Sequence, residues 1–154
     1  ITNFTNRQQL GTFVKSNKYV IVKFTATWCG PCKRVAPFFD KCFESMPKNC
    51  HLVVVDIDEG QDIASSMRIK QVPTYLNFIN GDMMDIYSSS SEQQVHEFMT
   101  KTFQIFLKIY YCLEMLLMII KILQVLIQIL SLPSNRIDLI ILSYHIVQMI
   151  FLEC

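Results

Sequence analysis

The sequence predicts an α/β three-layer domain, a mixed β-sheet flanked by helices, with an apolar helical extension behind it. Three observations carry this. Tyr19–Thr25 and Leu52–Ile57 are unbroken β-branched and aromatic runs, as strands buried on both faces require. The stretches around them place apolar residues at helical spacing, the signature of helices packed on a sheet. Asn80-Gly81-Asp82 separates two further strand-like runs and signals a hairpin, which adds an antiparallel half.

Taken in order, Ile1–Phe4 suits a short edge strand. Thr5-x-x-Gln8 has capping-box form, and Leu10, Phe13 and Val14 come next at helical spacing, predicting a helix over 6–16. The strand 19–25 leads into a helix from Pro31 to Met46, with Phe39 and Phe43 on its core face. Pro37 inside it removes one i→i−4 bond and predicts a kink. After the strand 52–57, Asp62–Arg68 reads as a short helix. Thr74–Ile79 and Met83–Tyr87 form the hairpin. Ser91-x-x-Gln94 caps a last helix, with Val95, Phe98, Met99 and Phe103 facing inward. The order β-α-β-α-β-α-β-β-α gives the three layers.

Charge divides the chain. Residues 1–103 hold 21 of the 27 charged side chains, whereas 104–154 hold six and are rich in Ile and Leu. The formal net charge of +1 and the lack of a basic cluster speak against nucleic acid as a partner. Six cysteines at positions 29, 32, 42, 50, 112 and 154 do not form the pattern of a secreted disulfide scaffold. The first residue is Ile1 rather than Met, and no charged-then-apolar leader pattern is visible.

The chemistry concentrates in Trp28-Cys29-Gly30-Pro31-Cys32-Lys33. Two thiols lie two residues apart between a buried strand and a helix start. There the helix dipole and free N–H groups favour a thiolate on the first cysteine. The second lies one turn later, within reach of a disulfide. A C-x-x-C can also be half of a zinc site, but no second C-x-x-C or His pair accompanies it. A dithiol redox site fits better. Cys42 and Cys50 read as ordinary thiols, and His51, His96 and His145 as structural.

Together with Ala26-Thr-Trp-Cys-Gly-Pro-Cys-Lys33, three more features share one order and spacing: Pro37, Asp56-Ile-Asp58 and Val72-Pro73-Thr74. This set resembles the thioredoxin family over residues 1–103, and the likeness implies the thioredoxin fold and a protein-disulfide reductase. Cys29 would then be the exposed nucleophile and Cys32 the partly buried resolving thiol. Gly30 and Pro31 would shape the turn between them, and Trp28 would shield the site. Pro73 would be a cis-proline, with Val72, Pro73 and Thr74 binding an extended substrate by strand addition. The resemblance further implies disulfide-containing protein substrates, a thioredoxin reductase as electron donor, no bound cofactor or metal, and a cytoplasmic setting.

Two positions depart from the family. Lys23 stands five before the tryptophan, where the family typically has a buried aspartate proposed to accept the second thiol's proton. Lys23 shares a strand face with Ile21 and Thr25. As a neutral amine it could accept that proton, as an ammonium it could favour the thiolate, or its long stem could carry the head to water. Ser89 stands where the family usually has a glycine beside the substrate, and reads either as a narrowing of the groove or as part of a polar loop. These departures leave open a peptide-binding module of the same fold with weak turnover.

Residues 104–154 form a separate extension. Ile105–Leu132 is long enough to span a bilayer, although Glu114, Lys121, Gln124 and Gln128 form a polar stripe along it. Pro133-Ser134-Asn135 breaks the chain, and Ile137–Leu152 forms a second run with Asp138, His145 and Gln148. A membrane hairpin through 105–152 and an extra pair of soluble helices both fit. The segment also lacks Gly, Ala, Thr and Trp, which is how an A/T-rich non-coding stretch reads when translated.

Overall fold

The sheet is organised around β2, Tyr19–Thr25, whose six leading residues are all buried. A computed structural model describes residues 2–130 of the chain. The break at 133–135 and the run 137–152 lie outside the described residues. The chain divides into two compact units, Ile1–Phe106 and Leu107–Cys154.

Eight elements surround β2. They are β1 (Thr2–Asn3), α1 (Arg7–Ser16), α2 (Gly30–Glu44), β3 (Cys50–Asp56), α3 (Gln61–Ser66), β4 (Thr74–Ile79), β5 (Asp82–Ser88) and α4 (Glu92–Leu130). The sheet order is β1-β3-β2-β4-β5. β1, β3 and β2 run parallel, while β4 pairs antiparallel with β2 and with β5. This is the mixed, helix-flanked sheet that the pattern predicts.

Alternation along β2 builds two cores. Val20, Val22 and Phe24 pack with Leu10, Val14, Val53, Val55, Ile63, Leu76 and Phe78, beneath α1 and α3. The opposite face carries Tyr19, Ile21 and Lys23. There Phe39 of α2 stacks on Tyr75 at 4.9 Å, Tyr75 meets Phe98 of α4, and Tyr19 meets Phe106 at 4.4 Å. Fully burying one such side chain contributes about 1.5–3 kcal/mol, so these rings fix both helices on the sheet. Asn77 adds a buried hydrogen bond, its Nδ2 donating to Thr102 Oγ1 at 2.8 Å.

Several local details differ from the expectation. α1 is capped by Asn6, whose Oδ1 accepts from Gln8 N at 2.7 Å, and not by a Thr5 box. Asn caps as well as Thr, and Arg7 N is already bonded to Asp62 Oδ2. Gln94 likewise serves Ser89, whose hydroxyl donates to its Oε1. Phe103 is only half-buried, and Phe106 takes the inward place. The last helix does not stop near 103. No Gly or Pro interrupts 92–130, so helix propagation, favourable at each added residue, continues to Leu130. Pro37 sits inside α2 without ending it.

The turns obey their chemistry. Asn80 and Gly81 have φ of 51° and 91°, the two positive values that a type I′ hairpin needs. α3 ends in a Schellman motif, with Ile69 N donating to Ala64 O and Arg68 N to Ser65 O. Its left-handed position is held by Arg68 at φ 53°, where glycine is usual. Arg68→Gly should therefore raise stability by about 1 kcal/mol, read as a shift in denaturant midpoint at unchanged slope. A loss of stability would contradict this account of the turn.

Candidate functional site

Parallel pairing of β2 and β3 delivers two loops to one edge of the sheet, 26–29 after β2 and 57–60 after β3. This is where open α/β sheets place their sites. Ile57 N donates to Thr25 O at 2.9 Å and Gly60 N to Asp56 O at 2.7 Å, which ties the second loop to the first. Gly60 is required: a Cβ there would lie 2.6 Å from Val55 Cγ1.

Cys29 is the N-cap of α2. Its Sγ accepts from Cys32 N at 3.1 Å, and its carbonyl oxygen accepts from Lys33 N. The cap position that normally takes a Ser or Asp oxygen is thus taken by sulfur. Pro31 occupies the first turn, where its missing N–H costs nothing. Cys29 and Cys32 form a disulfide with an S–S distance of 2.09 Å and Cα atoms 5.3 Å apart. Gly30 has helical conformation and open space, Arg34 Nη1 being the one atom within 4 Å of a Cβ built there. In this conformer the turn does not demand glycine at position 30.

The expectation of an exposed Cys29 needs correction. In the disulfide form Cys29 and Cys32 are 3% and 2% exposed. They pack with Ala26, and Ile57 and Val72 close over them. What is exposed is Trp28, at 67%. Its indole Nε1 donates to Asp58 Oδ2 at 2.8 Å, so the ring is held while its face remains open to solvent.

The segment before β4 completes the site. The Val72–Pro73 peptide is cis, in agreement with the family resemblance. The Val72 carbonyl oxygen lies 3.8 Å from Cys29 Sγ. With both sulfurs in the disulfide there is no S–H to donate, so this is a packing contact. Thr74 is buried, and its hydroxyl donates to Gln71 O at 2.7 Å and meets Ser88 Oγ. Those bonds fix the loop carrying Val72 and Pro73 against the hairpin. Ser89 turns its hydroxyl back to Gln94 and Ser91 N, so the polar-loop reading of Ser89 holds.

Lys23 is 6% exposed. Its Nζ lies 3.7 Å from Asp40 Oδ1 and 4.6 Å from the centroid of the Phe39 ring. Desolvation lowers its pKa, and the Asp40 charge works against that shift. The sequence alone singles out neither Asp40 nor Asp58 for these contacts. A periodicity signal exists for Asp40, which directly follows the core-facing Phe39 on α2.

An apolar cleft of about 190 Å³ is lined by Cys42, Met46, His96, Met99 and Phe103. Its lining comes from the C-terminal end of α2 and from α4, so it lies away from the dithiol, which opens α2. Among the described residues no group of three or more His, Cys, Asp or Glu side chains is placed to hold a metal.

A sulfur pair at a helix start, an aromatic guard and a cis-proline loop on this mixed sheet define a thiol–disulfide oxidoreductase domain. The Thioredoxin family model matches residues 2–101, and the chain belongs to the thioredoxin family. It is 41% identical over 85 residues to thioredoxin-2 of Pyricularia oryzae, a match covering 55% of this chain and 49% of that protein. The chain thus spans about half the length of that relative. It is 31% identical over 97 residues to thioredoxin 1 of Plasmodium falciparum, covering 63% of this chain and 92% of that one. Among solved structures, a Plasmodium falciparum thioredoxin superposes with TM-score 0.61 at 29% identity, over 66% of this chain and 98% of that one. Mitochondrial thioredoxin 3 of Saccharomyces cerevisiae gives TM-score 0.61 at 28% identity, over 66% and 94%.

Among the described residues, the remaining thiols are ranked by burial. Desolvation pushes Cys50 from 9.0 up to about 12 and also raises Cys42, while Cys112 is exposed. Of the described thiols in the reduced native protein, iodoacetamide near neutral pH should label Cys29 and Cys112 first and leave Cys50 intact until unfolding. Peptide mapping reads the order. Because the folded thiol of Cys50 holds its proton longer than the unfolded one, stability should also fall as pH rises between about 9 and about 12.

Proposed function

We propose that this domain reduces protein disulfides through Cys29 and Cys32. The cap bond from Cys32 N to Cys29 Sγ at 3.1 Å is the observation that carries the reading. In the reduced enzyme the same N–H, with the positive end of the α2 dipole behind it, meets a Cys29 thiolate and stabilises it.

The reduction takes two exchanges. The Cys29 thiolate attacks one sulfur of a substrate disulfide, whose S–S bond breaks as the mixed disulfide forms. The second substrate sulfur leaves with the electron pair and takes a proton. Cys32, after losing its proton, attacks Cys29 Sγ and expels the first substrate sulfur as a thiolate. Two electrons have moved to the substrate, and the enzyme is left as the Cys29–Cys32 disulfide. Substrate thiols of low pKa leave fastest.

Recognition rests on Trp28 and on the 72–74 segment. The exposed indole offers a flat apolar surface, and the Val72 backbone, beside the sulfurs, is free to pair with an extended substrate strand. Gly30 and Pro31 keep the loop between the thiols small. Return to the dithiol needs a two-electron thiol donor, for which a thioredoxin reductase is the fitting class. On this reading the domain works in the cytoplasm, where a reduced dithiol is maintained.

The extension favours a second, tethered form of the same activity. α4 is long and apolar enough to cross a membrane, with mean hydropathy 1.9 in its most apolar window. Leu116, Leu117, Met118, Ile120 and Val125 are exposed on several sides of it, as lipid contact requires and a single packed face does not. Tyr110 and Tyr111, both exposed, suit the headgroup level.

Two measurements test these readings. Cys29→Ser should bring insulin reduction to background, while Cys32→Ser should accumulate a mixed disulfide on Cys29; retained turnover in either variant would refute the mechanism. Floated with phosphatidylcholine vesicles, the full chain should rise and residues 1–106, which close their own core, should not. A full chain left in the soluble fraction removes the tether and leaves the thiol chemistry standing.

A further inference from the structure

Lys23 is the one charged side chain that is buried among the described residues. It belongs to the core face beneath α2 and α4, where its antiparallel partner on β4 is Tyr75. The Tyr75 ring stacks on Phe39, and the Lys23 ammonium lies over the same Phe39 ring, 3.7 Å from Asp40 Oδ1. Cys32, Val35 and Phe39 form the buried stripe of α2. The ammonium therefore stands at the far end of the stripe on which Cys32 stands, seven residues or roughly 10 Å along the axis. Val35 lies between Cys32 and Phe39 on that stripe, and apolar surroundings screen charge far less than water does.

We propose that Lys23 is a positioning residue for thiol–disulfide exchange: its buried cation, restrained by Asp40, favours the thiolate form of the dithiol and so favours the reduced enzyme. The inference rests on the dithiol reading of the site. A fixed positive charge in a dry core lowers the energy of any anion formed along the same stripe, and the thiolate is the anion this reaction must form. Asp40, with its side chain more than half exposed, balances part of that charge from the solvent side.

The other groups facing Lys23 do not oppose the effect. Tyr75 Oη is buried without a hydrogen-bond partner, and burial, with Asp40 second, raises its pKa; it stays neutral. Val54 is the register partner on β3 and carries no charge, and from α4 the ring of Phe98 meets Tyr75. Among the described residues the ammonium thus has one counter-ion, Asp40, which gives the two partners opposite signs of influence on the thiols.

The test uses Lys23→Met and Asp40→Asn in the full chain. Thiolate absorbance is followed against pH, and the dithiol–disulfide equilibrium is measured against glutathione. Lys23→Met should raise the apparent thiol pKa and shift the equilibrium toward the disulfide by roughly threefold to tenfold. Asp40→Asn should move both readouts the other way. Where Lys23→Met does not fold, the sign of the Asp40→Asn shift decides. A purely structural pair would move both variants together or neither, and either result overturns the proposal. If the unaltered chain does not reduce insulin, the dithiol reading fails first; normal reduction with unshifted titrations defeats this inference alone.

Discussion

The site depends on the hydrogen bond from Cys32 N to Cys29 Sγ, 3.1 Å long. It makes a sulfur the cap of a fifteen-residue helix. A capping oxygen satisfies an orphan N–H and contributes about 1 kcal/mol; a sulfur in its place does the same and gains reactivity. The Cys32 N–H points where negative charge appears when the disulfide opens. The bond needs Cys29 outside the helix and Cys32 inside it, one turn apart, which is the spacing the motif supplies.

Support for that turn comes from the sheet rather than from the helix. β2 and β3 end together, and the Ile57 N to Thr25 O bond extends their pairing past the last strand residues. Gly60 lets the 57–60 loop fold back against Val55. Asp58 is thereby set where it receives the Trp28 indole. An exposed aromatic fixed by one charged hydrogen bond loses little entropy on meeting a partner. The loops of the reactive edge are short and bonded to one another.

Much of this is legible in the residues, and the failures have physical causes. β2, β4 and the Asn80-Gly81 turn can be read directly because β-branched runs and positive-φ pairs admit few alternatives. Thr5 competes with Asn6 because both caps are good and only tertiary contact, here Arg7 with Asp62, decides between them. Cys29 is expected at the surface because motif spacing says nothing of what closes over it; Ile57 and Val72 come from loops 28 and 43 residues away in sequence. Asp40 and Asp58 escape notice as partners for the same reason. Polar side chains acquire their roles through long-range register, which a local pattern does not contain.

The extension obeys a harsher constraint. The buried residues of 1–106 pack among themselves. Between Leu116 and Ile127 the helix exposes one large apolar side chain after another. Leaving each in water forfeits about 1.5–3 kcal/mol, and several together reach about 10 kcal/mol, the net stability of a whole domain. A helix that holds its own backbone bonds but not its side-chain burial is stable only where the surroundings are themselves apolar. In the tethered form proposed above, lipid would meet that condition on every side at once. In that proposed form Glu114 and Lys121 would carry the cost, which is least when their stripe faces protein or headgroups rather than acyl chains.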